Sequence, residues 1–214
     1  MDFISWAKHT VAGRSRGALE SPHMTTLFPN AYVLNVVAAD QPGIVAAVTR
    51  AVSQRGGNID ACSQTVVGGY FTLIMVVSFA ESIAPDTLAE TVRGHPQSGF
   101  QVVARLFVPP VAKPARGVER FVLTAFGKDK PGIVLRFTQF LADHGINIID
   151  LYAERQGDDF TQIGQLEIPV ARDLATLQTE LEQIAKQEGF TVKLQHENIF
   201  VATNQLRLPH PAER

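Results

Sequence analysis

The sequence predicts an α+β protein made of two copies of one βαββαβ module, and three observations carry that prediction. A stretch occurs twice: one copy closes on Asp40-Gln-Pro42-Gly43-Ile44-Val45, the other on Asp129-Lys-Pro131-Gly132-Ile133-Val134. Asp40 and Asp129, Asn58 and Asn147, Phe71 and Phe160 all stand the same distance apart along the chain, so the copies align without a gap. Within each copy, hydrophobic runs of strand length alternate with runs at helical spacing, separated by glycine and proline.

In the first copy Tyr32–Ala38 is an apolar run and reads as a buried strand. Asp40-Gln-Pro-Gly stops it and starts a helix, with Pro42 suited to the first helical position. Ile44, Val45, Val48 and Val52 recur at helical spacing until Gly56-Gly57. Ile59–Val67 reads as a strand, Gly68-Gly69 as a hairpin turn and Tyr70–Phe79 as the next strand. Pro85-Asp86 opens a helix with Leu88, Ala89 and Val92 inward, and Phe100–Val108 is the fourth strand, with Val102 and Leu106 on one face. The second copy repeats the order: strand Phe121–Phe126, helix Ile133–His144, strand Asn147–Arg155, turn Gln156–Asp159, strand Phe160–Pro169. Its second helix is Leu174–Glu188, with Leu174, Leu177, Leu181 and Ile184 at core spacing. Gly189 caps it, Phe190–Leu194 begins the last strand, and Asn198–Ala202 extends that strand after a bulge.

A βαββαβ module is a ferredoxin-like sandwich, one antiparallel four-stranded sheet with two helices on one face. The expected domains are 30–108 and 119–203. Residues 1–29 form an N-terminal tail or extension, 109–118 a semi-rigid Pro-rich linker and 204–214 a C-terminal tail. The second sheet face is left open and apolar, and free strand edges offer another way to join copies, so a homodimer is expected.

Composition narrows the function. A net charge of −2 argues against a nucleic-acid surface. No apolar run reaches the length of a membrane span. The single cysteine, Cys62, forbids an intramolecular disulfide and suits a cytoplasmic location. Cys62 falls in an apolar strand and reads as a buried core thiol. The six histidines show no metal spacing, and His144, before a helix-ending glycine, reads as a C-terminal helix cap. No nucleophile elbow, phosphate loop or dinucleotide fingerprint is present, so neither catalysis nor a cofactor is expected.

The Asp-x-Pro-Gly turn supports two readings. It places a helix N-terminus, which favours a carboxylate, beside an Asp that can hold an ammonium; together these are what a free amino acid requires. Asn58 and Asn147, at the start of the next strand, can bridge to a ligand or a partner module. Equally, Asp before Pro-Gly is an ordinary turn and helix-start signal.

The signature at Asp40–Val45 with Gly56–Ile59, and again at Asp129–Val134 with Gly145–Ile148, resembles that of ACT domains, small modules that regulate proteins by binding amino acids. The resemblance spans roughly 32–200. A tandem pair without an attached enzyme is similar to the glycine cleavage system transcriptional repressor family. That resemblance implies a non-catalytic, amino-acid-responsive regulator that binds no DNA itself and acts on a DNA-bound regulator, with glycine or serine as ligand. It implies ligand contacts at Asp40, Gly43, Ile44 and Asn58, and at Asp129, Gly132, Ile133 and Asn147, at an interface between modules. The alternative is a regulatory subunit or fragment of an amino-acid or one-carbon metabolic enzyme. The copies differ: Gly57 corresponds to Ile146, and Ala39 and Gln41 to Lys128 and Lys130, which flank Asp129.

Overall fold

The structure is a computed structural model and describes residues 25–94, 99–109 and 117–204. The expectations for residues 1–24, for 110–116 of the linker and for the tail from 205 onward lie outside the described residues. The chain divides into two compact units, each holding one module.

The first module comprises β1 (Asn30–Ala39), α1 (Ile44–Gln54), β2 (Asn58–Val67), β3 (Tyr70–Phe79), α2 (Pro85–Arg93) and β4 (Gln101–Leu106). Its sheet has the order β2-β3-β1-β4, with every pair antiparallel. Alternation along β1 turns Tyr32, Leu34, Val36 and Ala38 to the helices, and β3 adds Phe71, Leu73, Met75, Val77 and Phe79. Helix α1 closes this face with Ile44, Val48 and Val52, and α2 with Leu88, Ala89 and Val92. Each fully buried Leu or Phe contributes about 1.5–3 kcal/mol.

The second module repeats the plan with β5 (Val118–Lys128), α3 (Ile133–Asp143), β6 (Asn147–Gln156), β7 (Asp159–Pro169), α4 (Leu174–Glu188) and β8 (Phe190–His196). Its sheet order is β6-β7-β5-β8. The two modules are ferredoxin-like βαββαβ sandwiches in tandem, as the duplication predicts. Asp173 caps α4: its carboxylate accepts from the Ala175 N–H and the Thr176 hydroxyl, and these bonds hold its pKa below the ordinary carboxylate value. His144 ends α3 as expected, with Nδ1 2.8 Å from the Phe140 carbonyl and Nε2 3.0 Å from Glu180.

Several expectations are corrected. Residues Asn198–Ala202 do not extend β8; they lie in a helix, α5 (Glu197–Asn204). Phe200 packs on Val122 and Ile163, and Gln165 donates to Glu197 at 2.6 Å, so α5 covers part of the face of the second sheet that faces away from α3 and α4. That face is therefore not left open. Cys62 is exposed, not buried. It points to the helix side of the sheet, level with Met75, but β2 is an edge strand and neither helix covers it beyond Asp60. Val45, Leu106 and Leu174 are exposed, and Ala185 joins Leu177 and Leu181 in the core while Ile184 is only partly buried.

Pro42 precedes the helix cap instead of occupying the first helical position. Gly43 is the N-cap, at φ 96°, ψ −7°, and Gly132 repeats this at φ 86°, ψ −1°. These angles are those of the second central residue of a type II turn, with proline at the first. The Ile133 N–H donates to the Lys130 carbonyl at 3.2 Å, closing the turn. The αL backbone is what demands glycine: a Cβ at either position would meet nothing within 4 Å.

Candidate functional site

Strand β1 runs through Ala39 and delivers Asp40 to the mouth of the first turn, where its N–H bonds the Gly69 carbonyl at 2.9 Å. Asp129 is placed alike, its N–H on the Asp158 carbonyl at 2.8 Å. The ladder thus fixes both aspartates against the β2–β3 and β6–β7 hairpins. Neither carboxylate caps its helix; no side-chain cap is present on α1 or α3. The first N–H groups of α1 therefore have no side-chain acceptor, and the positive end of the helix dipole faces outward beside Asp40.

A concavity of about 590 Å³ opens at this place in the first module. Asp40, Gly43 and Ile44 line it, together with Thr49 of α1 and with Gln64 and Val66 of β2. Asp40 is the one charged residue of the lining, and its carboxylate has no partner among the described residues. Ile44 borders it while being itself almost wholly buried, at 3% exposure. Thr49, Gln64 and Val66 carry no signal in the sequence; they become part of the wall only because α1 and the edge strand lie side by side.

Asn58 is not brought to the turn within its own module. It sits at the far end of α1, about 16 Å along the helix axis, and lines a separate concavity of about 500 Å³ with Arg50, Ser53 and Gly57. Its amide donates to Asp60 Oδ1 at 2.8 Å, and the Leu27 N–H reaches the same oxygen at 2.9 Å. Asp60 stands in the β-bulge between Ile59 and Ala61, and so ties the segment ahead of β1 to β2. Asn147 likewise donates within its own sheet, to Glu167 Oε2 at 3.2 Å.

The second turn has the same backbone and different side-chain chemistry. Asp129 lies 3.7 Å from Arg155 Nη1. Lys128 pairs with Asp159 at 2.7 Å, while Lys130 and Arg136 reach Glu188 at 3.9 and 3.8 Å. Ile133 is core-buried like Ile44.

Comparison with known proteins agrees with this architecture. ACT-domain models match residues 32–91 and 119–195. A UPF0237 protein of Methanococcus maripaludis is 38% identical over 84 residues, covering 39% of this chain and 93% of its own length. The glycine cleavage system transcriptional repressor of Escherichia coli is 29% identical over 150 residues, covering 69% of this chain and 76% of its own. A crystal structure assigned to a glycine cleavage system transcriptional repressor superposes with a TM-score of 0.58 at 25% identity, over 78% of this chain and 96% of that one. With matching models on both halves, and the strand order and turn geometry of one repeated in the other, the chain belongs to the ACT-domain family as a tandem regulatory protein related to the glycine cleavage system transcriptional repressors.

Proposed function

We propose that this protein is a non-catalytic sensor of a small amino acid, glycine or serine, that modulates a DNA-bound transcriptional regulator by protein–protein contact in the cytoplasm. The observation that carries the reading is the concavity at the first turn. It sets an unpaired carboxylate beside a helix start that no side chain caps. The carboxylate suits an ammonium and the helix start a carboxylate, so the two ends of a free amino acid have separate receptors. The relation to glycine cleavage system transcriptional repressors supports glycine as ligand and a transcriptional output.

Asp40, Gly43, Ile44 and Asn58 are the proposed contacts in the first module, and Asp129, Gly132, Ile133 and Asn147 are the equivalent positions in the second. Asn58 lies too far along α1 to share a ligand with Asp40 of its own module, so its proposed role is across an interface, in a homodimer. The exposed edge of β2 is a surface suited to such pairing. The mechanism is differential affinity: ligand favours one arrangement of modules, and the partner binds only one.

A thermal-shift series with the twenty amino acids tests this. A ligand at one hundred times its Kd stabilises by about 2.7 kcal/mol, enough for a clear shift. Glycine or serine is expected to raise the melting temperature in a concentration-dependent way. Asp40→Asn is expected to abolish the response while melting normally without ligand, because its exposed carboxylate has no hydrogen-bond or ion-pair partner among the described residues. Gly43→Val is unsuited to this test, since a β-branched residue at φ 96° strains the turn itself. An undiminished response in Asp40→Asn rules the site out.

A further inference from the structure

We infer that the two turns are unequal in use: the second module fills its own ammonium position with Arg155, and ligand is taken by the first module alone. The inference rests on the amino-acid-sensing reading and specifies which copy carries it. Position and register make the comparison direct. Arg155 pairs across the sheet with Phe160, and Val66 pairs in the same way with Phe71. The duplication therefore exchanged an apolar wall residue for a guanidinium at one point of the site. That guanidinium lies against Asp129, the equivalent of Asp40.

The surrounding charge points the same way. Four cations, Lys128, Lys130, Arg136 and Arg155, stand around the second turn with four carboxylates, Asp129, Asp158, Asp159 and Glu188. Asp129, Asp159 and Glu188 each have a cation within 4 Å, and the cations balance the carboxylates in number. At the first turn Asp40 is the one charge of the lining and is unpaired among the described residues. An incoming ammonium therefore meets an unpaired carboxylate at the first turn and a carboxylate already faced by a guanidinium at the second. The Arg155 contact is long and exposed, so it acts by occupying the position and supplying charge, not as a strong bond. It is thus reversible by a single substitution, which makes Arg155 a specificity-determining residue.

Titration calorimetry on the full chain, with glycine and L-serine as probes, decides the matter. The wild-type protein is expected to bind one equivalent per chain. Asp40→Asn is expected to bind none. Arg155→Val, which restores the first module's residue, is expected to bind two, and Arg155→Val with Asp129→Asn to return to one. Two equivalents in the wild-type protein, or one in Arg155→Val, overturn the inference while leaving the sensing reading intact. Absence of heat and of thermal shift with both probes in all four proteins overturns the sensing reading, and the inference with it.

Discussion

Gly57 and Ile146 occupy equivalent positions, and each fits what lies behind it. A Cβ on Gly57 would come within 2.4 Å of the Phe79 ring, whereas Ile146 is buried in a module that has Ile168 in place of Phe79. The exchange is a compensated pair, one large side chain supplied from the sheet or from the loop but not from both. Gln162 is the uncompensated case. It is 1% exposed, faces the helices beside Ala125 and Ala153, and neither its amide nitrogen nor its oxygen has a hydrogen-bond partner among the described residues. Its equivalent is Leu73, a fully buried core residue. An unsatisfied buried polar group costs about 1–3 kcal/mol. Gln162→Leu is accordingly expected to raise stability by about that amount in urea unfolding, and a loss of stability would mean that the amide has a role the contacts do not show.

At the scale of elements, the same core is built with volume moved between layers. In the first module the sheet supplies Val36 and Met75 opposite Val48 and Val52 of α1. In the second, Ala125 and Gly164 of the sheet lie opposite Phe137 and Leu141 of α3. Patterning alone suffices to place these helices and strands, because the periods are those of the elements and glycine or proline marks most of their ends. It fails at Asn198–Ala202, whose Ile, Phe and Val suit a strand. The helix there is decided by tertiary contacts that no local pattern contains: Phe200 against Val122 and Ile163, and Glu197 with Gln165. Phe200→Ala is expected to cost about 3 kcal/mol and to open α5 to proteolysis ahead of the rest of the second module. Unchanged protection of α5 would show that Phe200 does not anchor it.

On the scale of the whole chain, each module closes its own hydrophobic cluster, and every sheet pairing stays within its module. Residues 25–109 and 117–204, expressed separately, are each expected to unfold in one cooperative transition by circular dichroism; a non-cooperative profile from either would mean its core is incomplete alone. The duplication made this architecture legible in the sequence, since two gapless copies of one punctuation pattern fix element order twice. The candidate site was legible only in part. Asp40 and Gly43 announce themselves through the turn, but Thr49, Gln64 and Val66 enter through strand order, and the pairing of Arg155 with Asp129 depends on which strand lies beside which turn. The exposure of Cys62 is hidden from the sequence for the same reason: an apolar strand gives no sign of whether it is central or at an edge.

That edge position gives the protein a built-in reporter. Cys62 is the sole thiol of the sequence and stands two residues from Gln64, on the same side of β2 and next to the concavity at the first turn. A single maleimide dye will therefore attach at one defined place, close enough for its emission to change as the concavity fills.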